Sequence, residues 1–316
     1  MALEQFGPYQ LLEKIDDGGM AEIFLATDEI SPNPKHFFIL KRMLKKHQES
    51  QGVLELFFNE AKVSLCLDHP NLVKVYDSGS IDDRFFIAME LIKGVNVQQL
   101  LRKIRRLKLR NLSIPDSLYI VKNAASGLFH AHKAKDLATG KPLKLIHKDV
   151  STDNIMIDIN GEVKVIDFGV SSTTGVQRSK AQDGKLPYMS PEQANGKELD
   201  ERSDIFSLGA ILWELLTFRR LYNGLTIDDI KRMAKKPEIT DLKDLRPELE
   251  QGLLDIVSKS IQPNPNNRYT DMNDFKNSLS DFLKTQNPQY KPKKLIALVK
   301  VCFEDENDSL IKILAS

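Results

Sequence analysis

Cysteine is almost missing from these 316 residues. Cys66 and Cys302 stand far apart, without CxxC or His-rich spacing, which excludes a disulfide framework and a zinc site and suggests a reducing compartment. Net charge is nearly absent as well. Forty-five Lys plus Arg against forty-four Asp plus Glu leave a formal +1, so no global field favours nucleic acid or an anionic membrane. No apolar run approaches the ~18 residues of a membrane span. The opening Met1-Ala-Leu-Glu-Gln-Phe-Gly-Pro8 lacks the charged-then-apolar order of a signal peptide. Internal repeats and low-complexity tracts are missing, which argues against a solenoid or a disordered tail. The expectation is a soluble, cytoplasmic globular protein with neither nucleic acid nor membrane as partner. The local basic run Arg102 to Arg110 reads as one solvated helix face.

What is present changes character along the chain. From Tyr9 to Thr27 apolar and polar residues alternate around Asp16-Asp-Gly-Gly-Met20, the pattern of a hairpin with a flexible turn. His36 to Arg42 reads as a third strand, and Leu72 to Tyr76 and Phe85 to Met89 as two more. Between them, Leu54, Phe57, Phe58, Ala61 and Leu65 recur at helical spacing with Glu60 beside the stripe. A five-stranded antiparallel lobe with one helix is expected, over residues 1–89. Residues 90–94 then form a connector, and 95–285 a larger, mainly helical lobe; its second helix carries the stripe Leu118, Val121, Ala125, Leu128. Residues 286–316 read as a linker and an amphipathic helix with the stripe Leu295, Leu298, Val299, Phe303. The fold class is therefore α+β and bilobal.

Inside the second lobe, Asn160-Gly161 is a strong two-residue turn signal between the strands 155–159 and 162–166. That hairpin brings together two polar clusters, His147-Lys-Asp-Val-Ser-Thr-Asp-Asn154 and Asp167-Phe-Gly169. Asp149, Asn154 and Asp167 are the residue types that hold Mg²⁺ and aim a hydroxyl at a phosphate. Residues 170–188, rich in Ser, Thr, Gly, Gln and Lys without periodicity, read as a long functional loop.

In this order and spacing the motifs resemble the protein kinases of eukaryotic type, among them the bacterial Ser/Thr kinases whose glycine loop contains Gly-Gly-Met. The resemblance runs from about Tyr9 to Leu283 and implies a bilobal kinase that transfers the γ-phosphate of ATP, with Mg²⁺, to Ser or Thr of protein substrates in signalling. It implies that Ile15, Gly18, Gly19, Ala21, Ile23, Ile39, Met89, Glu90 and Ile92 line the nucleotide. Lys41, in Phe38-Ile-Leu-Lys41, would hold its phosphates while pairing with Glu60. Asp149 would receive the substrate hydroxyl, and Asn154 and Asp167 the metal. Asp204 would hold the catalytic loop's backbone, His147 would pack beneath Phe168, and Glu192, in Ser190-Pro-Glu192, would pair with Arg268.

Departures from the family pattern stand out at five positions. Asp16 replaces the first glycine of the phosphate-covering loop, and Ile39 a small alanine over the adenine. Lys148 replaces an arginine that clamps phosphate through two parallel hydrogen bonds, so control by loop phosphorylation should be weaker or different. Ser151 stands where Ser/Thr kinases carry a lysine, and Lys185 where they carry a threonine. An exchanged cation would let Lys185 reach the γ-phosphate from the opposite side as a catalytic residue; the alternative is a solvated loop lysine. Thr173, Thr174 and Ser179 are candidate autophosphorylation sites, with self-association for reaction in trans. The rival readings are a pseudokinase scaffold or allosteric partner, and a small-molecule phosphotransferase.

Overall fold

The computed structural model describes residues 4–17, 20–28, 36–109, 112–168, 186–306 and 313. Its first sheet has six strands, β1 (Glu4–Phe6), β2 (Tyr9–Asp17), β3 (Ala21–Asp28), β4 (Phe37–Met43), β5 (Val75–Ile81) and β6 (Arg84–Glu90). They lie in the order β1-β2-β3-β4-β6-β5, all antiparallel. One more strand forms than the five expected. β1 is too short to show a period, and a tertiary contact holds it: Glu4 pairs with Arg42. That guanidinium is buried, stacked 5.2 Å from the ring of Phe6 and 4.6 Å from that of Phe24.

The strand expected over 72–76 is displaced to Val75–Ile81. Val73 N–H donates to Val165 O at 3.0 Å and Val165 N–H to Asn71 O at 2.9 Å, so the apolar residues before Val75 serve the other lobe. The sheet edge is instead the polar Asp77-Ser-Gly-Ser80, which has no apolar alternation to announce it. Asp82 and Asp83 turn it onto β6 with φ of 47° and 58°, the left-handed pair that a two-residue hairpin of matching twist requires.

Helix α1 (Gln51–Leu65) buries Val53, Phe57, Glu60, Ala61 and Ser64. Its inner face is therefore rotated from the expected stripe, and Phe58 and Leu65 are partly exposed, Phe58 resting against Phe85. Apolar periodicity misplaced the face because a charged residue, Glu60, occupies its centre.

The larger lobe begins with β7 (Gly94–Asn96), α2 (Val97–Arg106) and α3 (Ile114–His132), then the hairpin β8 (Ile155–Asp158) and β9 (Val163–Val165). α3 comes close to the segment after α1 at Gly127, where an added Cβ would sit 2.5 Å from Asn71 O. After α4 (Pro191–Ala194) comes α5 (Arg202–Thr217), buried on every side from Ser203 to Leu216 and the axis of the lobe's core. Helices α6 (Ile227–Lys235), α7 (Leu242–Leu245), α8 (Gln251–Ser260) and α9 (Met272–Gln286) surround it. α10 (Lys293–Glu306) buries Leu295, Val299, Cys302 and Phe303 and packs on β7 and α2. Of the described basic residues in the Arg102–Arg110 run, Arg102, Arg105, Arg106 and Lys108 are exposed and Lys103 alone is buried. Lys103 and Arg106 both meet Asp305 of α10, and Arg105 reaches Glu214 and the Phe218 carbonyl.

Candidate active site

Strand alternation puts Phe37, Ile39, Lys41 and Met43 on the face of β4 that looks toward α1 and the cleft. Register adds neighbours: Ile23 opposite Lys41, and Leu25 and Met89 opposite Ile39. Lys41 Nζ lies 2.5 Å from Glu60 Oε1 and 3.7 Å from Asp167 Oδ1. Burial alone would pull the Lys41 ammonium toward neutrality, but the Glu60 and Asp167 carboxylates outweigh it and hold its pKa above the usual lysine range. The two carboxylates therefore favour the charged form of the Lys41 ammonium between the two lobes.

Across the cleft, Asn154 Nδ2 donates to the backbone carbonyl of Asp149 at 2.9 Å and to its Oδ2 at 3.1 Å. With its amide nitrogen engaged there, Asn154 has Oδ1 to offer as an acceptor. The Asn154 carbonyl accepts from Ile166 N–H at 3.0 Å, tying the residue beside Asp167 to the 147–154 loop. His147 Nε2 lies 3.1 Å from Ile166 O, and its ring centroid 4.7 Å from that of Phe168. Among the described residues no three His, Cys, Asp or Glu converge as a metal cage. Asn154 and Asp167 are instead the sparse oxygen set suited to Mg²⁺, which takes one or two protein carboxylates plus substrate phosphates.

Two residues here carry left-handed backbones without being glycine, Lys148 at φ 63° and Asp167 at φ 54°. Such strain persists only where the surroundings over-determine it. For Lys148 the cause is Asp204 on α5, which is 1% exposed. Its Oδ2 accepts from His147 N–H at 2.8 Å and its Oδ1 from Lys148 N–H at 2.9 Å. Oδ2 also meets His132 Nε2 at 2.7 Å. Burial disfavours the Asp204 carboxylate, yet the hydrogen bonds and electrostatic contacts with His132 and His147 keep its pKa below the ordinary aspartate value. Sequence reasoning missed His132, although a signal existed: it extends the stripe of Leu118, Val121, Ala125 and Leu128 by one helical step, so a polar side chain had to be buried.

The expected nucleotide wall is brought together only in part. Ile23, Ile39 and Met89 share the cleft-side face of the sheet, and Ile15 is exposed at the end of β2. Ala21 is buried with Met43, Val53 and Phe57, so its backbone is what it can offer a ligand. Glu90 spends its carboxylate on Lys164 Nζ at 3.0 Å and Lys74 N–H at 3.2 Å, again leaving the backbone. Ile92 follows, half-buried, in the segment between β6 and β7. Gly18, Gly19, Gly169, Lys185 and the candidate phosphosites Thr173, Thr174 and Ser179 lie outside the described residues. The expected Glu192–Arg268 pair is present as a two-pronged bridge of 2.7 and 2.8 Å.

The family model described as "Protein kinase domain" matches residues 9–280. Over 289 residues the chain is 35% identical to "Tyrosine-protein kinase MasK" of Myxococcus xanthus (strain DK1622), covering 89% of this chain and 44% of that protein. It is 32% identical over 272 residues to "Serine/threonine-protein kinase PrkC" of Bacillus subtilis (strain 168), covering 85% of this chain and 39% of that protein. The chain thus spans less than half the length of these curated relatives. Among solved structures, the Mycobacterium tuberculosis PknI kinase domain matches with a TM-score of 0.65 at 20% identity, over 89% of this chain and 98% of that one. At that identity the match speaks for the fold.

Proposed function

Because this chain belongs to the protein kinase family, we propose that it transfers the γ-phosphate of Mg-ATP to Ser or Thr hydroxyls of a protein. The observation that most supports this reading is the pairing of Lys41 with Glu60 at 2.5 Å while Asp167 lies 3.7 Å from the same ammonium. Lys41 would hold nucleotide phosphates, and Asn154 and Asp167 would hold Mg²⁺, which supplies charge neutralisation at the phosphates when bound. Asp149 takes the proton of the attacking hydroxyl as the new O–P bond forms and the bond to the β-phosphate breaks. Lys185 supplies the cation that Ser151 does not, and Lys185→Ala then lowers kcat. Thr173, Thr174 and Ser179 accept phosphate from a second copy of the chain.

The test is radiolabelled-ATP transfer to a generic protein substrate, comparing the native chain with Asp149→Asn. The label should be lost in the variant. Equal signals would move the protein to the rival reading of a pseudokinase scaffold. One observation favours a second specificity: a relative is named a tyrosine kinase, and Ser151 leaves the catalytic loop without the lysine of Ser/Thr kinases. Phosphoamino-acid analysis of the labelled product decides between serine or threonine and tyrosine.

A further inference from the structure

Beneath the catalytic loop, four polar side chains from four separate elements are buried in one line. They are Gln98 on α2, Thr152 in the turn Thr152–Asn154, Tyr188 in the turn Leu186–Tyr188, and Glu214 on α5. Thr152 Oγ1 lies 3.0 Å from Gln98 Oε1, to which it donates as the amide is placed, and 2.9 Å from Tyr188 Oη. Tyr188 Oη in turn donates to Glu214 Oε2 at 2.6 Å, and Arg105 Nη2 lies 3.3 Å from Glu214 Oε1.

Counting protons gives this line a direction. A tyrosine hydroxyl has one proton and a carboxylate only accepts, so the Tyr188 proton goes to Glu214. The single Thr152 proton must then occupy the 2.9 Å gap to Tyr188, because otherwise two oxygens face each other, unbridged, in a dry interior. Gln98 is left to donate. It does so by presenting its NH₂ group to Thr152, the orientation reached by a half-turn of the terminal amide.

We propose that Gln98, Thr152 and Tyr188 form a one-way chain of buried hydrogen bonds ending on Glu214. In this chain Gln98 and Thr152 are positioning residues that lock the Leu186–Tyr188 turn onto the catalytic loop. Thr152 lies three residues beyond Asp149, and the turn leads into Ser190-Pro-Glu192. The chain therefore sets where a protein substrate rests relative to Asp149, an inference that builds on the kinase reading above. Nucleotide contacts come from Lys41 and the sheet and lie outside it. Conformational latitude in the turn is removed because Tyr188 is tied to three buried partners, Thr152 and Glu214 directly and Gln98 through Thr152.

The experiment uses the full chain with Thr152→Val, which removes the relay hydroxyl at nearly constant volume, and Thr152→Ser, which keeps it. Thr152→Val should raise KM for the protein substrate about tenfold, equivalent to about 1.4 kcal/mol, with KM for ATP within about twofold, while Thr152→Ser should stay near the native values. An unchanged protein KM in Thr152→Val, or equal damage in both variants, overturns the positioning role. An independent readout needs no activity: NMR of the native chain should show a slowly exchanging Thr152 hydroxyl proton close to the Tyr188 ring, and the Gln98 NH₂ protons close to the Thr152 methyl. Cross-peaks from that hydroxyl to Gln98 and not to Tyr188 overturn the direction. If no phosphoryl transfer occurs at all, the kinase reading fails by itself and the NMR result still decides the chain.

Discussion

Replacing Arg268 by methionine removes the cation from a carboxylate that the fold has already dried out. The side chains of Arg268 and Glu192 are 0% and 8% exposed. Arg268 makes its two bonds to Glu192 and also caps three carbonyls, those of Gln262 at 2.7 Å, Arg202 at 2.8 Å and Pro263 at 3.2 Å. It packs over Phe206 as well, at 4.8 Å. In Arg268→Met, Glu192 would keep the Ser203 hydroxyl at 2.6 Å and its own backbone N–H, with no cation beside it. Breaking a buried pair from one side costs about 3–5 kcal/mol, which corresponds to a fall in Tm of roughly 5–8 °C for a chain of this size. Calorimetric unfolding at pH 7 measures it. The double variant Arg268→Met with Glu192→Leu should recover about 2 kcal/mol, because the stranded charge is gone.

The pH dependence should also change sign. Burial raises the Glu192 carboxyl, but Arg268 and Ser203 outweigh it and hold its pKa below 4.5. In the native chain this group thus contributes stability above that value, lost as pH falls through the depressed folded pKa. Without Arg268 burial wins and the folded pKa rises, so the variant becomes less stable as pH climbs from about 4.5 upward. A loss under about 1 kcal/mol in Arg268→Met, or a double variant no better than the single, would refute this account of the pair.

Asp204→Asn replaces an acceptor of three hydrogen bonds by an amide that must turn its NH₂ toward a donor; it should cost about 3 kcal/mol and lower kcat, read by thermal unfolding and transfer assay together. Glu22 is held down to about 2 because Lys14, Arg84 and Arg42 outweigh its burial. Its stabilisation is complete above its ordinary value of 4.5 and lost as pH falls toward 2, so Glu22→Gln should flatten acid unfolding across that window, followed by circular dichroism. Gly127→Ala pushes a methyl to 2.5 Å from the Asn71 carbonyl and should destabilise by about 1–3 kcal/mol in urea titration.

Much of the candidate site was legible because its side chains sit in short local clusters. His147 to Asn154 and Asp167 to Gly169 carry their chemistry within a few positions, and the Asn160-Gly161 turn that joins them is a local signal. The strand of Lys41 and the helix of Glu60 were legible from periodicity, and the resemblance to kinases implied their pairing. The inner face of α1 was another matter, since Glu60 sits where a purely apolar stripe would place a hydrophobe.

Most of the strands and helices, and the acidic and amide residues around the hairpin, follow from the sequence alone, because propensity, periodicity and turn chemistry act over a few residues; the resemblance to kinases implied the lysine that faces them. Tertiary structure decided the rest. It added β1 through the Glu4–Arg42 contact and drew residues 71–73 away from the sheet through bonds to β9. It buried Lys103 under Asp305 and forced Lys148 into a left-handed backbone through the two oxygens of Asp204. Each of these joins groups far apart in the chain, where the gain from satisfying a buried charge or backbone N–H exceeds any local preference, and no window of sequence contains both partners.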